Sequence, residues 1–265
     1  MPRVALGLSY AGQGYLGWQS QTGGHTIQDK LEAALANFCG LKTGQRVVTN
    51  CAGRTDSGVH GLMQVVHFDT LLERDISSWV RGTNSYLPPD IAVQWAKVMP
   101  GNFHSRGSAI ARRYAYVLLQ SPIRPSLEMH RAGWVHSTLS LLNMELAAHY
   151  LLGENDFSSF RASQCQALSP VKTIRSIHIS QRGAYWRFEF EANAFLHHMI
   201  RNIMGCLVTI GRGDEPPQWM ADVLAARSRK VAAPTFSPHG LYFLGPVYEP
   251  HWDLPDRTPA YDWLP

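Results

Sequence analysis

Residues 173–192 read TIRSIHISQRGAYWRFEFEA. From Tyr185 onward the pattern alternates, with Trp186, Phe188 and Phe190 on one face and Arg187, Glu189 and Glu191 on the other. A period of two with one apolar face predicts a strand of an antiparallel sheet, buried on one side. QRGA joins it to a preceding strand, TIRSIHIS. Upstream, RRYAYVLLQ (112–120) reads as another strand and SLLNMELAAHYLLG (140–153) as an amphipathic helix closed by Gly153. Downstream, FLHHMIRNIMGCLVTIG (195–211) reads as a helix ending at Gly211. Pro216-Pro217 opens a short helix over QWMADVLAA, and LYFLGPVY (241–248) is a last strand.

The first half is of the same kind. Val4, Leu6 and Leu8 mark a first strand. TIQDKLEAALANFCG (26–40) predicts a helix capped by Thr26, with Ile27, Leu31, Ala34, Leu35 and Phe38 on one face and Gly40 at its end. RVVTNCA (46–52) and LMQVVHF (62–68) read as strands, the second alternating as if half-buried. A helix over 73–86 stops before Pro88-Pro89, and IAVQWAKVM (91–99) is a strand broken by Pro100-Gly101. Two successive halves of similar element order predict an α+β fold of two sheet-plus-helix modules, 1–103 and 104–248. A proline-rich, aperiodic tail, 249–265, follows and is expected to pack over the surface. No residue-level repeat relates the halves.

Composition sets outer bounds. The 265 residues are 45% hydrophobic and 17% charged, which is globular. No apolar run reaches the roughly 18 residues of a membrane span, and MPRVALGLSYAG enters a strand pattern without a secretory signal. The 4 cysteines, Cys39, Cys51, Cys165 and Cys206, are scattered without a C-x-x-C pair. Reduced thiols in a cytoplasmic protein fit that pattern, and a zinc site does not. The net charge of +4 divides into −3 over residues 246–265 and +7 over the rest. A basic body suits a polyanionic partner without requiring one.

Two stretches carry candidate chemistry. Gly12, Gly14 and Gly17 match G-x-G-x-x-G after a strand, but the next helix begins only near Ile27. A dinucleotide site needs those glycines to open the helix whose N-terminus receives the pyrophosphate, so a packed or flexible loop is the better reading. The second stretch is CAGRTDSGVHG (51–61). Asp-Ser-Gly between strands is ordinary turn chemistry. Yet Arg54 and Asp56 lie two residues apart with Thr55 and His60 beside them, and Arg112-Arg113-Tyr114 and Arg201 add cations and an aromatic elsewhere.

GRTDSGVHG resembles the catalytic-aspartate motif of the tRNA pseudouridine synthase A family, G-R-T-D-x-G-V-H. YAGQGYLGWQSQ, LPPDIAV, FHSRGSAIARRYAY, LLGENDFSSFRA, ANAFLHHMIRNIMG and HGLYF also resemble that family, in its order, across roughly residues 4–248. Gly107 departs from the pattern, standing where the family commonly has an aromatic, and the tail beyond Tyr248 matches nothing.

The resemblance implies two ferredoxin-like modules joined into one mainly antiparallel sheet with helices packed on it, and an active site in the cleft between them. It implies a homodimeric, cytoplasmic isomerase that converts uridine to pseudouridine at positions 38–40 of the tRNA anticodon stem-loop. Asp56 is then the essential carboxylate, Arg201 its cationic partner, and Tyr114 the ring that stacks on the target base. Leu241 would be the apolar contact on the base's other side, and Arg54 would hold the RNA. Arg81, Arg106, Arg112, Arg113, Arg161, Lys172 and Arg175 are candidate phosphate contacts. The reaction exchanges no electrons, so no cofactor is expected. His197-His198, read as adjacent helical residues, should not share a metal ion. The rival expectations are a non-catalytic tRNA-binding or RNA-folding protein of the same fold, and a dinucleotide-dependent oxidoreductase.

Overall fold

The computed structural model describes residues 1–42 and 44–255. In chain order these form β1 (Arg3–Tyr10), α1 (Ile27–Phe38), β2 (Asn50–Cys51), β3 (His60–Asp69), α2 (Ile76–Asn84), β4 (Ile91–Met99) and β5 (Ala109–Gln120). They continue as β6 (Gly133–Val135), α3 (Leu141–His149), β7 (Gly153–Asp156), β8 (Val171–Arg182) and β9 (Tyr185–Ala192). α4 (Met199–Arg212), α5 (Trp219–Ala226) and β10 (Leu241–Tyr248) complete the order.

The chain divides into two compact units. The first is Met1–Ile110 together with residues 242–255, and the second is Ala111–Leu241. The sequence placed its boundaries at 103 and 248 instead. Pro100-Gly101 is only a turn, closed by the Phe103 N–H donating to the Pro100 carbonyl, and Phe103 is buried in the first unit's core. Most of β10 belongs to the first unit because Tyr242 and Phe243 pair parallel with His60 and Gly61 of β3.

In the first unit the order β4–β1–β3–β2 is antiparallel throughout. That is the order of a ferredoxin-like βαββαβ module, with α1 and α2 as its crossovers. Thr26 caps α1 as expected, its hydroxyl accepting from the Asp29 N–H. Ile27, Leu31 and Leu35 of α1 and Trp79 of α2 pack on Leu6, Leu8, Val66 and Phe68. Each fully buried side chain of this size contributes roughly 1.5–3 kcal/mol.

Two strand expectations change. β3 is buried on both faces, every residue but Asp69, where half-burial was expected. Its second face is covered by Phe103 and by Tyr248, Trp252 and Leu254 from the chain's end. The tail therefore does pack over the surface as far as residue 255, with Trp252 edge-on to Phe103 at 5.1 Å. Residues 256–265 of the expected tail lie outside the described residues. The strand expected over 46–52 shrinks to Asn50–Cys51. Its earlier polar groups turn to α1 instead: Thr49 donates its N–H and its hydroxyl to the buried Glu32 carboxylate, and Arg46 donates to the other oxygen.

In the second unit β5–β9–β8–β7 are antiparallel and β6 runs parallel to β5. β9 shows the alternation read from its sequence, with Trp186, Phe188, Phe190 and Ala192 buried. The α+β expectation of mainly antiparallel sheets with helices packed on them is met in both units. α4 begins at Met199, four residues later than expected at Phe195, because His198 adopts φ 62°, outside the right-handed helical region. It runs one residue past Gly211 and is closed by Gly213 at φ 84°.

The glycine loop after β1 forms a short 3-10 turn, Gly12–Gly14, and then lies against residues 55–59. A Cβ on Gly12 would stand 1.9 Å from the Val59 carbonyl oxygen, and one on Gly17, at φ 88°, would stand 2.7 Å from that of Thr55. Gly14 faces open space. Gly17→Ala should therefore lower stability by on the order of 2 kcal/mol. Gly14→Ala should change it little. Urea midpoints of the two variants, compared with the parent, check the contrast.

Buried His67 generates a pH dependence. Its Nδ1 accepts from the Ser105 N–H at 3.1 Å, so that nitrogen is unprotonated. Burial first, then Arg3 and His104, lowers its pKa from 6.5 to about 4. As the pH falls the unfolded chain takes up a proton that the folded chain refuses. The His67 contribution is complete above pH 6.5 and is lost on the way to 4. The parent's urea midpoint should drop between neutral pH and about 5. His67→Gln keeps an acceptor without titrating and should show a smaller drop in the same titration.

Candidate active site

Each unit holds its candidate residues at one end of its sheet. In the first unit β1 ends, and β3 and β4 begin, on the same side. The aspartate loop, residues 53–59, enters β3 there. Thr55 is buried while Arg54 is exposed and Asp56 half-exposed, so the loop turns its inert residue inward and its charged ones outward.

Hydrogen bonds and one ring contact hold that loop. The Thr55 hydroxyl lies 2.9 Å from the buried Tyr10 hydroxyl, and the Thr55 carbonyl accepts from the Trp18 N–H at 3.0 Å. Ser57 donates its hydroxyl to the Tyr15 carbonyl. The Asp56 carbonyl accepts from the Val59 N–H at 3.2 Å, closing a turn around Gly58, which sits at φ 81°. His60 accepts the Gly12 N–H on Nδ1 and stacks on Tyr242, ring centroids 4.7 Å apart. At the loop's start Gln64, fully buried in β3, donates its amide to the Gly53 carbonyl at 2.5 Å. It also accepts the Gly53 N–H at 3.4 Å. Burial raises the Tyr10 hydroxyl's pKa well above the usual phenol range, so Tyr10 stays neutral and anchors rather than titrates.

Arg54 and Arg106 both act on Cys51. Burial pushes that thiol to about 11, and the two guanidinium groups pull against the shift. Residues 103–108 are internally bonded: the His104 ring accepts the Arg106 and Gly107 N–H groups on Nδ1. A Cβ on Gly107 would meet the His104 side chain at ordinary contact, 3.6–3.7 Å, so the backbone here admits a larger side chain. Arg81 lies on α2, where it donates to Ser77 of its own helix.

In the second unit, register brings the candidates together. Arg112, Arg113 and Tyr114 of β5 pair with Ala192, Glu191 and Phe190, at the end of β9. The same end of β9 pairs with Ile174 and Ser176, near the start of β8, which also carries Lys172 and Arg175. The first turn of α4, with Arg201, follows after only six residues. Tyr114 is buried, its ring edge-on to Phe195 at 5.2 Å. The Arg201 Nε donates to the Phe236 carbonyl at 2.9 Å, and the Phe236 N–H returns a bond to the Arg201 carbonyl. Leu241 is placed by Gly240, whose carbonyl accepts the Val117 N–H and where a Cβ would collide with that residue's oxygen at 2.2 Å.

Several of the expected phosphate contacts also have bonds inside the fold. Arg161 holds the Cys165 and Ala167 carbonyls, Lys172 those of Ser169 and Val171, and Arg112 that of Asn193. Arg175 pairs with Glu191 at 3.3 Å. Arg113 is exposed. One reading of the sequence needs revision here. His197 and His198 precede α4 and their rings lie 4.0 Å apart, so the angle between helical neighbours does not describe them. Tyr116 is buried in the core and donates its hydroxyl to the Ser237 carbonyl at 2.9 Å, steadying the segment that holds Arg201.

Sequence reasoning missed Tyr10, Gln64, Ser57 and the Tyr116 hydroxyl as parts of the site. Gln64 left a signal, a lone amide inside LMQVVHF where the neighbouring positions are apolar. Tyr10 left none, since an aromatic at the end of an apolar strand reads as packing.

The chain matches the tRNA pseudouridine synthase family over residues 8–106 and 147–249. It is 68% identical over 267 residues to "tRNA pseudouridine synthase A" of Polaromonas sp. (strain JS666), covering 99% of this chain and 100% of the relative. It is 66% identical over 281 residues to the protein so named from Paracidovorax citrulli, with the same coverage. The protein so named from Albidiferax ferrireducens is 64% identical over 263 residues, again with 99% and 100% covered. With its aspartate loop seated on the first unit and its length matched from end to end, this chain belongs to the tRNA pseudouridine synthase family.

Proposed function

We propose that the protein isomerises uridine to pseudouridine at positions 38–40 of the tRNA anticodon stem-loop, with Asp56 as the essential carboxylate. The observation that carries this is the seating of Asp56: its backbone is bonded on both sides while its side chain stays half-exposed.

The chemistry asks for that arrangement. The C1′–N1 bond of uridine breaks, the base turns, and a C1′–C5 bond forms. The C5 hydrogen leaves as a proton and N1 gains one, so atoms and electrons balance without an oxidant or reductant. C1′ becomes electron-deficient as its bond to N1 weakens, as in glycoside hydrolysis. A fixed carboxylate stabilises that centre, attacks it, or removes a neighbouring sugar proton. Arg201 is the cation assigned to pair with that carboxylate, since a guanidinium can grip it at two points. It is suited to orienting work because Phe236 holds its Nε and so fixes the direction of the guanidinium. Tyr114 stacks on the uracil and Leu241 bounds its other side.

The base must leave its stack first, at a cost of a few kcal/mol that phosphate contacts offset. Arg54 and Arg106 supply these from the first unit. Arg112, Arg113, Arg161 and Lys172 supply them from the sheet end of the second. Since three neighbouring positions are substrates, shape rather than base identity governs recognition. The enzyme works as a cytoplasmic homodimer with one tRNA touching both subunits. Among the described residues no helix is long and apolar enough to cross a membrane.

The test uses unmodified tRNA tritiated at C5 of uridine. The parent should release tritium. Asp56→Ala should release it on the order of 1,000-fold more slowly while binding the tRNA as tightly. A folded, tRNA-binding parent that releases none across several tRNAs would favour the binding-protein alternative.

A further inference from the structure

We propose that Gln64 and Tyr10 form a positioning pair that fixes the direction of the Asp56 carboxylate. This rests on the role proposed for Asp56 and adds residues that touch neither substrate nor the reacting atoms.

Gln64 lies in β3 between Met63 and Val65, and its side chain is fully buried. A buried amide in a strand of apolar neighbours is costly unless its polar atoms are bonded. Both ends of this one are bonded to a single residue: the amide nitrogen to the Gly53 carbonyl and the amide oxygen to the Gly53 N–H. That two-point contact fixes the orientation of the Gly53 backbone, as a strand partner would, although Gly53 lies outside β2 and β3. The Phe243 ring lies 3.4 Å from where a Gly53 Cβ would be, so the clamp closes against a wall.

Two residues on, Tyr10 holds the Thr55 hydroxyl from the end of β1. The Gln64 side chain also lowers the Tyr10 hydroxyl's pKa against the larger effect of burial. Residues 53 and 55 are thus gripped through buried polar groups, and the next residue is Asp56. Neither contact fills volume that a methionine or a phenylalanine could not fill. Both do what packing cannot, which is to set the rotation of the backbone that carries the carboxylate.

Gln64→Met and Tyr10→Phe each remove hydrogen bonds and keep bulk. Single-turnover tritium release from C5-labelled tRNA, with enzyme in excess, is read beside filter-binding affinity for the same tRNA and the thermal midpoint. Asp56→Asn and Val223→Ala run alongside, the second a buried change in α5 of the other unit. Gln64→Met should slow release at least about tenfold and Tyr10→Phe about fivefold, with affinity within about twofold of the parent. Val223→Ala, assayed well below its midpoint, should keep the parent's rate despite its lowered stability.

If Gln64→Met does not fold, Tyr10→Phe decides. Parental rates in every folded member of the pair, with Asp56→Asn inactive, overturn the positioning role and leave Asp56's intact. Weakened tRNA binding in proportion to the lost rate also overturns it. Full activity in Asp56→Asn would instead remove the reading of Asp56 itself.

Discussion

The role proposed for Asp56 needs a carboxylate whose backbone is held still, and that burden falls on hydrogen bonds to the loop of residues 53–59. The Trp18 N–H to Thr55 carbonyl bond, at 3.0 Å, ties the aspartate loop to the glycine loop. It forms because Gly12 and Gly17 let the two loops approach without side chains between them. The glycines that looked like a dinucleotide motif serve this close approach. His60 extends the same contact from the other end of the turn, through the Gly12 N–H.

The rest of the first unit keeps the turn in place. β3 carries His60 and Gln64 in register beneath the loop and is buried on both faces. Its second cover comes from the far end of the sequence, where Tyr248 donates its hydroxyl to the Ser105 carbonyl and Lys97 pairs with Asp253. The last strand thus returns to the unit that holds the aspartate. Removing it would expose Val65, Ala5 and Met99 to water.

Local pattern carried much of this into the sequence. The Thr26 cap, the alternation of β9 and the span of β4 depend on neighbours within a few residues, and all three stand in the structure. The misreadings are long-range. Nothing near LMQVVHF signals a cover from residues 248–254, and nothing in RVVTNCA signals that Glu32, fourteen residues or more upstream, takes its polar groups. The start of α4 was misplaced because φ at His198 is a backbone choice that its side chain does not announce. Among the candidate residues, charge and aromaticity marked Asp56, Arg54, Tyr114 and Arg201, while neutral anchors such as the buried Tyr10 and the exposed Ser57 look like packing or turn residues until their partners are known.

The claim on which the account stands is that the aspartate loop is already built before RNA arrives. Amide hydrogen exchange of the tRNA-free protein tests it through the Trp18, Gly12 and Val59 N–H groups, which bond to Thr55, His60 and Asp56. The account predicts that all three are strongly protected in the free protein and gain little when tRNA is added. Exchange near the rate of an open loop, with protection only in the complex, would mean that tRNA builds the loop and would contradict it.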